Sequence, residues 1–496
     1  MSACTKNGRR QMHDHALSRR IGDVFDLDPG GRAIEYDGHW SSWGQITGLS
    51  RQVAAAVAPG TRVGILLRNT PAHVASLLGV LLAGGCVVVF NPSRGDERMR
   101  ADIAGLDLPV LVGTADDLAL PGDPADTATV VTIADVEAAP QIRYGAPAEP
   151  GPPAVAVQML TSGTTGPPKR VDLTYDMLAV SVIGTDFTTA PPPSAASSGV
   201  AIVNAPLVHI GGVYRVLQCV CEARPFVLLP RFELTSWADA VRRYSPKAVS
   251  LVPAALRMVL HSDLGPDDLA GVRAVTSGTA PLSPADADAF TEKFKIPVLT
   301  SYAATEFGGG VAGWTLADHR EHWTSKRGSV GRASLGARLR VVADDGTPLE
   351  PGQDGLLEVK PGQLGSDAPW VRTTDLARID ADGFLWILGR ADQAIIRGGF
   401  KVLPDDVRAA LESHPAVLGA AVVGSPDERL GETPVALVEV RHGQSLTTTA
   451  LTEYLRNRLA PYEIPSDIRF VDEIPRTPSG KADLTAVRRH FTDHER

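Results

Sequence analysis

The chain has 496 residues, 44% hydrophobic and 21% charged, with 48 basic against 57 acidic side chains and a formal charge of -9. Such a length exceeds one ordinary domain and predicts two to four, each able to bury a core. The acidic balance excludes a general electrostatic pull toward nucleic acid or anionic membrane, so an anionic ligand needs a local site.

In chain order, Met1 to Arg20 is polar and basic without the apolar stretch of a secretory signal. Arg62–Leu67 reads as a strand and Pro71–Leu82 as the helix after it. The longest apolar run, Val74 to Phe90, is broken by Gly84-Gly85 and ends in Val87-Val88-Val89. A helix, a turn and a buried strand account for it better than a membrane span, which needs about 20 residues. Ala146–Pro153 reads as a connector and Pro191–Gly199 as an exposed loop. Cys219 and Cys221 lie in an apolar run without a second pair or a His cluster, which predicts two small core side chains rather than zinc ligands. Four cysteines in such a length are no disulfide framework, and a reducing cytoplasm is the expected compartment.

Pro225–Leu229, Ala248–Val252 and Val272–Thr276 read as further strands, with Ser236–Arg243 a helix. Strands alternating with helices predict mainly parallel sheets covered on both faces. From Gly328 to Gly389 short strands with turn pairs such as Asp345-Gly346 and Asp382-Gly383 predict a small β-rich unit. The last hundred residues predict an α+β module: helix Pro404–Ser413, strands Ala420–Val423 and Val435–Val440, helix Thr447–Arg458.

The strongest local signal is Leu160-Thr161-Ser162-Gly163-Thr164-Thr165-Gly166-Pro167-Pro168-Lys169. Small hydroxyl residues and glycines let backbone N–H groups approach an anion, and the lysine adds charge. Two prolines separate Gly166 from Lys169 and no Ser or Thr follows the lysine, so this is not a Walker loop. That disfavours a kinase or P-loop ATPase.

This segment resembles the signature loop of the adenylate-forming superfamily, which includes acyl- and aryl-CoA synthetases, luciferases and peptide-synthetase adenylation domains. Five further segments match in the family's order. Ser277-Gly278-Thr279-Ala280-Pro281-Leu282 is similar to the adenine-side turn, and Ser301-Tyr302-Ala303-Ala304-Thr305-Glu306 to Y-G-x-T-E. Arg372-Thr373-Thr374-Asp375 and Gly389-Arg390-Ala391-Asp392 resemble the T-G-D and G-R-x-D pair. Pro475 to Lys481 resembles the P-x-T-x-S-G-K loop. Arg170, Ala303 and Thr374 stand where the family usually has Gly, and the stretch from Val359 to Trp370 is shorter than usual.

The resemblance implies an α/β fold. A large N-terminal part (residues 1–391) would hold two mainly parallel αβ-layered sheets and the small β-rich subdomain. A small mobile α+β C-terminal domain (392–496) would follow a hinge at Asp392. It also implies ATP-dependent activation of a small carboxylic acid as an acyl-adenylate with pyrophosphate release, then thioester formation with coenzyme A. Thr161 to Gly166 and Lys169 would cradle the β- and γ-phosphates. Ser277, Gly278, Thr279, Ala280 and Ser301 would border the adenine and Tyr302 would stack on it. Thr305 would contact the α-phosphate and Glu306 would hold Mg²⁺. Asp375 would bind the ribose hydroxyls and Arg390 ribose or phosphate. Lys401 would assist at the phosphates, and Lys481 would bridge the carboxylate and the α-phosphate. His209, Gly211 and Gly308 would line the acid pocket, and Gly398-Gly399 would face CoA.

No carboxylate stands in Ile202-Val203-Asn204-Ala205-Pro206, which argues against an amino-acid substrate. A carrier-protein phosphopantetheine is the alternative acceptor, and a non-catalytic nucleotide-binding homologue is the rival class. Fatty, alicyclic and aromatic acids all stay open. So does oligomeric state, a homodimer among the options; no nucleic acid partner and no integral membrane segment is expected.

Overall fold

The computed structural model describes residues 14–92, 96–106, 108–119, 128–146, 155–161, 169–397, 400–427, 429–477 and 480–492. Most of the expected Ala146–Pro153 connector lies outside them.

The first layer is a seven-stranded sheet in the order Gln141–Arg143, Thr129–Thr132, Val110–Gly113, Arg62–Leu66, Cys86–Phe90, Val155–Thr161, Lys169–Thr174. Its inner five strands run parallel and only the two edges are antiparallel. Cys86–Phe90 is buried at every position, as a Val-rich parallel strand covered on both faces should be. The preceding helix, Pro71–Leu82, begins with Thr70 as its N-cap and Pro71 in its first turn. The Val74–Phe90 stretch is thus a helix, a turn and a strand. No described helix is long and apolar enough to cross a membrane.

The second layer comprises two ladders. One runs Ala201–Val203, Phe226–Leu228, Arg32–Tyr36, His39–Ser42. The other runs Ala248–Ser250, Ala274–Ser277, Val298–Ala304, Gly309–Gly313, Arg332–Ala333. The second ladder is parallel through its first three strands and antiparallel from Val298–Ala304 onward. That reversal turns the chain sharply through the Thr305–Phe307 turn. Cys219 and Cys221 are buried in the helix Ile210–Cys221.

The β-rich unit is one antiparallel sheet of Arg338–Val342, Asp354–Lys360, Val371–Ile379 and Leu385–Arg390. The C-terminal domain pairs Val417–Asp427 with Gly431–Val440, adds Asp467–Val471 in parallel, and packs helices including Pro404–Glu412 and Thr448–Arg456. Val417–Asp427 runs past the expected Ala420–Val423. The facing strand carries the ladder through Gly424, Ser425 and Pro426, residues that by propensity alone read as a turn.

The buried apolar clusters fall into two sets. One set uses residues up to Ile387, the other residues from Ile395 onward, and none among the described residues has members on both sides.

Candidate active site

The site is assembled where the second layer changes direction. Val298–Ala304 carries Tyr302 to its end, the following turn presents Glu306, and Gly308 (φ +74°) and Gly309 (φ +138°) return the chain. Glycine is required there. A Cβ on Gly308 would come within 2.7 Å of Met177, and both glycines sit at φ values that L side chains rarely adopt. The strand Lys169–Thr174 packs beside the Glu306 turn, with Lys169 its exposed first residue.

Two of the expected nucleotide residues are bonded to each other. The Tyr302 hydroxyl donates to Asp375 Oδ2. Burial raises the Asp375 carboxyl above the usual range, opposed by the Tyr302 bond and by Arg390. Burial and the adjacent Asp375 charge push the Tyr302 phenol well up, so it stays a donor. Asp375 N–H donates to Thr373 Oγ1 (3.0 Å), and Thr373 Oγ1 donates to Leu357 O (2.9 Å), which fixes the carboxylate from behind.

On the adenine-side turn, Ser277 is buried with Oγ unpartnered, and Thr279 is a non-glycine at φ +76°. Gly278 passes so close to Ser301 that a Cβ would stand 2.8 Å from Ser301 Oγ. Strain of about 1–3 kcal/mol at a residue such as Thr279 persists only where the surroundings over-determine it.

Lys481 arrives from the opposite side. Gly480 (φ +80°) lies against Val252, with its Cβ position 3.6 Å from Val252 Cγ2. Lys481 stays open to water at the cleft mouth, yet the surrounding protein removes much of its hydration. That loss lowers its ammonium pKa first, and Arg390 lowers it further; Glu306 and Asp375 oppose them. His209, N-cap of Ile210–Cys221, senses the same charge: burial and then Lys481 lower its pKa to about 4. Its Nε2 is buried without a partner, and it is neutral at pH 7.

Arg390 pairs with Asp375 across the ladder, and its charge reaches both Asp375 and Lys481. Its guanidinium grips Asp392, the expected hinge, in a bidentate pair at 2.6 and 2.9 Å. Ser162 to Gly166, Gly398 and Gly399 lie outside the described residues, as do the side chains of Thr161 and Lys401. The Arg170 side chain is placed by its neighbours: it lies over the Phe90 ring and donates to Val89 O at 3.2 Å. Ala303 is exposed and pairs with Gly310 just past a register shift at Tyr302, and Thr374 is exposed on its strand, so each site accepts a Cβ.

The residues 25–365 match the family model of the AMP-binding enzyme, and residues 406–481 match that of the AMP-binding enzyme C-terminal domain. The chain belongs to the AMP-binding enzyme family. Within this adenylate-forming superfamily it is an acid–thiol ligase of the acyl-CoA synthetase branch. It is 32% identical to the sulfoacetate–CoA ligase of Cupriavidus necator, over 89% of this chain and 90% of that one. It is 29% identical to the indoleacetate–CoA ligase of Aromatoleum aromaticum, over 95% and 97% of the two chains. ATP-bound MatB from Rhodopseudomonas palustris superimposes with a TM-score of 0.81 at 25% identity, over 97% of this chain and all of that one.

Several residues of this AMP-binding enzyme's site escape a motif reading. Gly308 O accepts from both Ser181 (2.9 Å) and Tyr214, and Gly310 O accepts from Gln363 (2.7 Å), which is 2% exposed. Tyr214 was within reach of pattern reading, since it follows Gly211 by one helical turn. Ser181 and Gln363 carried no local signal. Across the seam between the domains, Arg257 donates to Glu412 (3.0 Å); on its own side it donates to Asp286 (2.7 Å), and Glu412 accepts also from Arg408 of its own helix (2.8 Å). Arg441 meets the His261 ring at 2.6 Å.

Proposed function

We propose that this enzyme joins a small carboxylic acid to ATP as an acyl-adenylate, releasing pyrophosphate, and passes the acyl group to coenzyme A. The observation that carries the site assignment is convergence. Lys481, from the end of the chain, is close enough to feel the charges of Glu306, Asp375 and Arg390 and to act on His209.

A carboxylate attacking a polyphosphate must approach like charge, and more charge builds on the leaving group. Lys481 addresses that barrier at the acid and the α-phosphate, and Lys169 with the Thr161–Gly166 loop at the outer phosphates. Glu306 suits a magnesium ion. It is exposed, and among the described residues no cation pairs with it. No group of three or more His, Cys, Asp or Glu forms a protein-only cage among the described residues. Magnesium bound with nucleotide characteristically takes one or two carboxylates and completes its shell with phosphates and water, where it would neutralise phosphate charge. Asp375, fixed by Tyr302 and Thr373, is an acceptor for ribose hydroxyls, and Tyr302 offers its ring to adenine. Thr305 stands beside the α-phosphate.

Thioester formation needs the same carbonyl opened to a thiol, so the C-terminal domain turns about Asp392 and withdraws Lys481. Gly398-Gly399 and Lys401 lie nine residues or fewer beyond that hinge. Coenzyme A is favoured over a carrier protein because the relatives of similar length are CoA ligases. Those relatives act on short or ring-bearing acids, so a long-chain fatty acid is disfavoured. The reading places the enzyme in the cytoplasm.

The test is acid-dependent pyrophosphate release across acids of graded size, followed by transfer to CoA against a phosphopantetheinyl carrier. Nucleotide binding without acid-dependent pyrophosphate release would overturn the reading in favour of a non-catalytic homologue.

A further inference from the structure

The helix Ile210–Cys221 turns its apolar side, Val213, Val216, Leu217 and Val220, into the main core. At about 100° per residue, Gly211, Arg215 and Gln218 follow one another down the opposite face, flanked by Tyr214. Tyr214 fixes where that flank looks: its hydroxyl bonds Gly308 O, and its ring stands 3.3 Å from the Cβ position of Gly309. Gly211 and Gly310 each have nothing within 4 Å of a Cβ position, so neither is filled by a neighbouring side chain. One turn below Gly211, that face carries a guanidinium.

Arg215 is incompletely satisfied. Its Nη1 donates to Gln218 Oε1 at 2.8 Å, but its Nε is buried with no acceptor. No carboxylate among the described residues forms an ion pair with it. The nearest acid along this face, Glu222, is already engaged by Gln218 Nε2 (3.0 Å) and Arg224 Nε (2.9 Å). That chain of contacts holds the Gln218 amide with its oxygen toward Arg215. A guanidinium has five donors, and leaving one buried and unmatched is costly. Such a group is preorganised for an anion that the protein does not itself supply.

We propose that Arg215 is a specificity-determining residue that receives a second anionic group, a carboxylate or sulfonate, at the far end of the acid being activated. This rests on the acid-activating reading above and names its substrate class.

The test uses the full-length enzyme with saturating ATP and paired acids: succinate against butanoate, and 4-carboxyphenylacetate against 4-methylphenylacetate. Pyrophosphate release gives kcat/KM for each. The wild type should favour the doubly charged member of at least one pair by about 10-fold or more, as expected for a charge-assisted hydrogen bond. R215L should lower that ratio at least tenfold, chiefly through KM, while its turnover of the neutral partner persists. R215K should recover part of the ratio. Wild-type preference for the neutral acid in both pairs, or a ratio unchanged in R215L, overturns the inference and leaves acid activation standing. Pyrophosphate release with no acid at all overturns both.

Discussion

The glycine strand proposed as the floor of the acid pocket and the seam between the two domains are held in opposite ways. At the floor, two hydroxyls converge on one carbonyl, Gly308 O, and a buried glutamine takes another two residues on. The glycines between them occupy φ values that few residues tolerate. At the seam there is no shared apolar core. The domains meet through the Arg257–Glu412 ion pair, the hydrogen bond of Arg441 to the His261 ring, and the light contact of Gly480 on Val252. Buried hydrogen bonds made within a rigid layer are costly to leave unmade, whereas a polar seam without a large hydrophobic interface leaves relative motion of the domains as the default, even with Arg257 and Glu412 shielded from water. The floor is built to stay and the seam to let go.

The sharpest test of that contrast is at the charge the seam delivers. Lys481→Ala should lower the adenylation rate about 10²–10³-fold, the scale for removing a preorganised charge donor. Pyrophosphate release close to the wild-type rate would break the idea that docking the C-terminal domain matters for this step.

Gly308→Ala attacks the floor instead. Steric overlap with Met177 and the wrong φ should destabilise the N-terminal part by about 1–3 kcal/mol and impair both half-reactions together. Selective loss of thioester formation would show the floor to be less rigid than argued. Asp392→Pro, which fixes φ, should spare adenylation and slow thioester formation from isolated adenylate about tenfold or more. Asp392→Ala separates that effect from loss of the Arg390 pair.

Arg257→Ala should have a smaller and opposite signature. Adenylation should fall several-fold as the docked arrangement is depopulated, with thioester formation unchanged or faster. Equal losses in both would mean the pair is structural only.

The smallest effect concerns pH. His209 has a folded pKa near 4 against an ordinary value of 6.5, so the unfolded chain binds the extra proton first as pH falls. Its contribution to stability is therefore intact above about pH 6.5 and is lost progressively from there down to about 4. His209→Gln should flatten the acid limb of a thermal-denaturation profile and leave the pH–rate profile between 6.5 and 8 unaltered.

Much of this was legible in the sequence, for physical reasons that differ by region. Pro71–Leu82 was found to the residue because Thr70, Pro71 and Gly84-Gly85 punctuate it locally. The motifs singled out Tyr302, Glu306, Asp375 and Lys481, and the fold brings these four within electrostatic reach of one another. What escaped were contacts between distant segments. Ser181 and Gln363 meet the glycine strand only after the layers pack, and the Arg257–Glu412 pair joins residues far apart in the chain. The extension of Val417–Asp427 past its apolar centre was set by its partner strand, which no local propensity reports. Arg390 was legible as a site cation, whereas its two-armed grip on Asp392 is a matter of side-chain geometry that spacing alone does not fix.

That fork has a consequence of its own. One guanidinium cannot close on Asp392 with both arms and at the same time give those arms to a bound nucleotide. If a nucleotide claims Arg390, the residue about which the domain is proposed to turn loses its restraint at that moment. Occupancy and freedom to rotate then become a single event, timed by the rivalry of two anions for one cation.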